Sequence, residues 1–197
     1  MKSLRIMLCV VVLMSLATAA FAQTDTQKSD AQKSSVAPVP SEAQKSFATM
    51  KSLAGEWEGP VTVPDAPQMS GSKMHLTMRV TSRGNVLVHE FQEAGTPLDA
   101  TKYDHPVTML YVDGDLTLVH YCDAGNRPRM TGKMSPDGKT VEFELKDISG
   151  STAMHMHHSV FTLIDANHHT EDWTFMMNDK PIHAHFDLQR ASTIATK

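Results

Sequence analysis

Two periods divide the chain. Between Ser41 and Gly55, Ala43, Phe47, Met50 and Ala54 recur at helical spacing and form one apolar stripe. Ser41 followed three places later by Gln44 has the form of a capping box, and Gly55 marks the stop. From Glu56 onward the period falls to two. Met74, Leu76, Met78 and Val80 alternate with His75, Thr77, Arg79 and Thr81, as on a strand with one buried face. Further segments of strand character lie at 56–63, 86–93, 106–112, 115–122, 128–134, 140–147, 154–165, 170–177 and 181–190. Turn residues separate them. Asp113-Gly114 predicts a type I′ hairpin, and Asn178-Asp179-Lys180 predicts a three-residue loop. Ten short strands with no helix between them predict an all-β, antiparallel up-and-down meander over 42–192. Closing such a meander into a barrel leaves no free edge.

The chain ahead of this domain has a different character. Lys2 and Arg5 precede an apolar run from Ile6 to Ala17, and Ala20-Phe21-Ala22 is a small-x-small cleavage site. The run is shorter than the ~20 residues a spanning helix needs. Residues 1–22 are therefore expected to be a cleaved signal peptide, making the protein secreted and periplasmic with no membrane span after cleavage. Residues 23–41 are polar and end in Ala37-Pro38-Val39-Pro40, the composition of a flexible linker. Cys9 leaves with the leader, so Cys122 is the sole remaining thiol and the apolar core must hold the domain without an internal disulfide.

Composition narrows the function. The 197 residues are 41% hydrophobic and 20% charged, which excludes a disordered or fibrous chain. A net charge of −4 argues against nucleic acid, which calls for clustered Lys and Arg. The chain is rich in two side chains that ligate soft or borderline metals, with 11 His and 14 Met.

Gly55-Glu56-Trp57 at the first strand and Arg190 at the end of the last resemble the lipocalins and related calycin barrels. In that family the Trp plugs the closed end of the barrel and the basic residue lies across it, which gives Trp57 and Arg190 structural roles. The chain looks like the bacterial secreted lipocalin-like families of unknown function and, at a greater distance, the nitrobindins. Those are ten-stranded barrels that bind haem through a last-strand His. The stretch from Trp173 to Met177 and on through Pro181-Ile182-His183-Ala184-His185 resembles their final hairpin, with His183 or His185 at the ligand position. Where nitrobindins follow the Trp with a glycine-rich loop, this chain has Gly59-Pro60-Val61-Thr62-Val63-Pro64.

The residues themselves leave three functions open. A small apolar or amphipathic ligand in the barrel would meet Tyr111, Trp173, Phe175, His183 and His185. With a three-residue final loop, the two histidines share a face with Trp173 and Phe175. Haem would instead be held by His183 or His185. Copper or zinc would be held by His155 and His157 of Met154-His155-Met156-His157-His158, which share one face of a regular strand. His120 and Cys122 also share a strand face, as a metal pair or a nucleophile with its base. Glu90, Glu93, Asp104 and Asp172 are candidates for a barrel mouth, and His168-His169 are expected in an exposed turn. No Gly-x-Ser-x-Gly, His-Glu-x-x-His or phosphate-cradling glycine motif occurs, so the reading leans away from an enzyme.

Overall fold

The computed structural model describes residues 39–191. The expected signal peptide and the linker up to residue 38 lie outside the described residues. Helix α1 (Glu42–Lys51) is capped by Ser41, whose hydroxyl accepts from the Gln44 backbone N–H while the Gln44 side chain accepts from the Ser41 N–H. It stops at Lys51, short of the expected Gly55, because Ser52 closes it. Its Phe47 and Met50 are buried, and it packs over β4, β5 and β6.

Ten strands follow: β1 (Gly55–Thr62), β2 (Lys73–Thr81), β3 (Val86–Glu93), β4 (Val107–Asp113), β5 (Asp115–Tyr121), β6 (Arg127–Met134), β7 (Thr140–Ser149), β8 (Met154–Asp165), β9 (His168–Met177) and β10 (Lys180–Arg190). Each pairs antiparallel with its sequence neighbour, and β10 returns to β1, so the sheet is a closed barrel. Inward positions follow the period-two alternation of the strands except at bulges and are filled mostly by Leu, Met, Phe and Trp. Among the described residues no helix is long and apolar enough to cross a membrane.

One end of the barrel is sealed. Trp57 is wholly buried, and its indole N–H donates to the Leu53 carbonyl at 2.8 Å. Register places Arg190 opposite it, with the guanidinium 4.1 Å from the ring centroid. Arg190 also donates to the carbonyls of Ala54 and Ala166, tying the helix–strand junction to the β8–β9 turn. Gly55 adopts a φ of +144°, and a Cβ there would overlap the guanidinium.

Three local readings are corrected. Asp113-Gly114 is not a type I′ turn: Asp113 pairs directly with Asp115, and only Gly114 has positive φ. The type I′ signature lies instead at Asn178 and Asp179, with φ of 49° and 64°. The final loop therefore has two residues rather than three, which shifts the β9–β10 register by one. Finally, His168 and His169 do not sit in an exposed turn. They open β9, and His169 is wholly buried.

Candidate functional site

The one-residue shift decides which side chains enter the barrel. On β10, Ile182, Ala184 and Phe186 lie opposite Phe175, Trp173 and Glu171 and face inward. His183 and His185 lie opposite Thr174 and Asp172 on the outer face. There His183 Nδ1 bonds Asp65 at 2.7 Å and His185 Nδ1 bonds Asp172 at 2.6 Å. As cavity residues the two histidines are thus corrected by the pleat. Trp173 and Phe175 do face inward and line the cavity described below. Tyr111 lies half-buried on the outer face of β4, opposite in direction to the buried Thr108 and Leu110.

The Met/His string is also rearranged. A β-bulge at His157 interrupts the alternation of β8, so Met156 and then Ser159 point inward while His158 turns outward. The rings of His155 and His157 are 5.6 Å apart, but His155 Nδ1 already bonds the Thr152 carbonyl at 2.9 Å. Among the described residues the donor set that does converge is Glu142, Glu144 and His158, within 4.8 Å of one another on the solvent face. His120 and Cys122 are not bonded to each other. His120 Nδ1 shares a hydrogen bond with Thr108 Oγ1, and Cys122 Sγ donates to Asp123 at 3.3 Å. Burial pushes the Cys122 thiol up to about 11, so it is protonated and a poor nucleophile.

The centre of the lumen holds a polar cluster on which the sequence reading laid no weight. His89 comes from β3 between inward Leu87 and Phe91, while His169, Glu171 and Trp173 alternate along β9. Across the lumen, His89 Nε2 donates to Glu171 at 3.0 and 3.2 Å, and His169 Nε2 donates at 3.2 Å. Trp173 Nε1 adds a third donor at 3.0 Å. Burial alone would push the Glu171 carboxyl up, but the charge of His89 and the bonds from His169 and His89 hold it at about 2. An ionised carboxylate thus sits in the core, satisfied by three N–H donors. His120 stands nearby, its ring centroid 5.6 Å from that of Trp173. Burial and repulsion from His89 lower its pKa to about 4, which leaves it neutral near pH 7. The signal for this cluster was present: a charged residue at the inward parity of Trp173 and Phe175.

Above the cluster the barrel opens. A cavity of about 440 Å³ is walled by Val61, Met74, Phe91, Trp173, Phe175, Ile182 and Phe186. Four of its rings form one aromatic assembly: Phe91 stacks on Phe186 at 4.7 Å, and Trp173 meets Phe91 and Phe186 at 5.3 Å and Phe175 at 5.8 Å. The rim is polar, with Ser72, Gln92, Glu93, Thr96, Tyr103 and Asp104. Of the four carboxylates weighed for a mouth, Glu93 and Asp104 reach it, whereas Glu90 and Asp172 lie on the outer face.

The last-strand histidine that the resemblance implies as a haem ligand does not reach this cavity. The inward residues that β10 gives it are Ile182, Ala184 and Phe186, none of which ligates iron. The inner imidazoles of His89 and His169 are bonded to Glu171 in the floor.

No protein-family model matches the chain, and no curated protein matches it in sequence. Its fold is similar to that of Rv2717c from M. tuberculosis, with a TM-score of 0.53 at 16% identity over 75% of this chain and 98% of that one. It is also similar to a protein of unknown function of the DUF3598 family from Nostoc punctiforme. That match has a TM-score of 0.50 at 11% identity, over 72% of this chain and 48% of that one. Likeness at this level of identity shows a shared barrel fold.

Proposed function

We propose that the protein binds a small apolar or amphipathic molecule in the open half of its barrel. The observation that carries this reading is the cavity of about 440 Å³, with an aromatic floor of Phe91, Trp173, Phe175 and Phe186 under a polar rim. Concave, mostly apolar sites with a few polar groups at the edge are the usual form of small-molecule sites. The aromatic and aliphatic walls supply affinity by removing ligand surface from water, at about 25 cal/mol per Å² before the costs of immobilisation. The rim fixes orientation. The expected leader at 1–22 makes this an exported, periplasmic binding protein, and the mass of the mature N-terminus tests that part separately.

The binding test uses a neutral apolar dye, N-phenyl-1-naphthylamine, whose emission rises in a dry site. Saturable binding is expected, with energy transfer from Trp173. Ala184→Trp, which fills the cavity from β10, should abolish binding while the far-UV circular dichroism stays that of the parent. A dye that does not saturate, or binds the filled variant equally well, refutes the reading.

A further inference from the structure

We propose that the cavity selects its occupant by the sign of its head group, taking amphiphiles with an ammonium head and rejecting carboxylate amphiphiles such as fatty acids. The inference rests on the ligand-binding reading and adds the charge of the ligand.

The lining residues include two carboxylates, Glu93 and Asp104, and no Lys, Arg or His. Of the cations close in sequence to the mouth, Lys73 pairs with Glu58 and Lys102 with Asp99 at 3.2 Å, whereas Lys180, two residues before the lining Ile182 on β10, makes no ion pair among the described residues and does not line the cavity. His105 lines an adjoining outer pocket of about 400 Å³, which shares Tyr103 and Asp104 with the cavity and adds Cys122 and Asp123. Glu93 accepts a hydrogen bond from Ser72 at 3.1 Å, and Asp104 makes no ion pair among the described residues. The cavity lining therefore carries two carboxylates and no cation of its own. Burial and the neighbouring Asp123 both raise the Asp104 carboxyl, while His105 lowers it, so a cation at the rim relieves a repulsion already present.

The floor beneath the cavity offers no free positive charge to attract an anion, because His89 is paired with Glu171. Trp173 gives its N–H to Glu171, so the indole offers the cavity ring surface rather than a donor. An alkyl or aryl body fits the aromatic well, and its head stops between Glu93 and Asp104. A carboxylate head in the same position meets like charge in a partly dry rim.

The test titrates the intact protein at about pH 8 with three probes of equal chain length: decyltrimethylammonium, decanoate and decanol, each below its micellar range. Intrinsic tryptophan emission is the readout, since Trp173 lines the cavity while Trp57 is sealed beneath Arg190. The ammonium probe is expected to bind about tenfold or more tighter than decanoate. In the double variant Glu93→Gln, Asp104→Asn that gap should shrink to about threefold, with the far-UV circular dichroism and the thermal midpoint of the parent as the control for folding. Equal affinity for ammonium and decanoate overturns the charge selection and leaves the ligand reading standing. A preference undiminished in the double variant overturns its assignment to the rim. No saturable response to any of the three probes takes the ligand reading down as well.

Discussion

Glu171→Gln conserves volume and removes the charge at the centre of the lumen. In the parent, Glu171 accepts from His89, His169 and Trp173 at 3.0–3.2 Å, and all four residues are at most 4% exposed. The amide has one oxygen in place of two, and its NH₂ meets either Trp173 Nε1, which can only donate, or an imidazole that accepts only by moving its proton to Nδ1, which in His169 is buried without a partner. Either way a buried donor is left unpaired. An unpaired buried polar group costs about 1–3 kcal/mol, and removing one partner of a buried charged pair costs about 3–5 kcal/mol. A loss of roughly 3–5 kcal/mol near pH 7 is expected by urea unfolding, or a drop in Tm of roughly 10 °C for a domain of this size. The pH dependence supplies a second signature. The folded-state pKa is about 2 against an ordinary value of 4.5, so the carboxylate's contribution is complete above about 4.5 and is lost as pH falls toward 2. That window is worth about 3 kcal/mol in the parent and should be absent from the variant. A loss under about 1 kcal/mol near pH 7, or superimposable acid limbs for the two proteins, would refute the network argument.

Other expectations concern parts of the barrel that can be tested separately. The depressed pKa of His120, about 4 against an ordinary value of 6.5, means that stability is lost as pH falls from 6.5 through 4, because the unfolded chain takes the proton first. His120→Gln should flatten urea midpoints across that range, and an unchanged slope would show that other groups set it. Gly55→Ala places a Cβ on the Arg190 guanidinium at a φ of +144°, and a loss of about 2 kcal/mol or more is expected by thermal melting. Arg190→Met, which gives up the Trp57 contact and the carbonyl bonds to Ala54 and Ala166, should cost a similar amount. His183→Ala and His185→Ala should leave naphthylamine affinity within about twofold, since both rings lie outside the barrel. A large loss in either would place the ligand elsewhere.

The fold was legible because its signals are local. Period-two alternation and turn residues placed ten strands to within one or two residues of their observed ends, and Ser41-x-x-Gln44 marked the start of α1. The plug was legible from the Gly55-x-Trp57 motif and Arg190, whose side chains meet through the β1–β10 pairing. Errors arose where one residue of the backbone changes parity. Asn178-Asp179 takes up the two left-handed conformations expected at Asp113-Gly114. Asn and Asp tolerate that region, so composition alone did not separate a two-residue loop from a three-residue one.

Parity is what converts a hairpin into a binding site. With three loop residues, His183 and His185 would sit across from Phe175 and Trp173, and imidazole would line the cavity. With two, Ile182 and Ala184 take those places and both histidines find carboxylates in solvent. The bulge at His157 acts in the same way on β8, sending Ser159 inward and His158 to Glu142 and Glu144. The imidazoles that remain inside, on β3, β5 and β9, are bonded to Glu171 or Thr108. Thus a histidine-rich chain builds an aromatic cavity with acid at its rim. Its lumenal histidines are held by Glu171 or Thr108, and none of them lines the cavity.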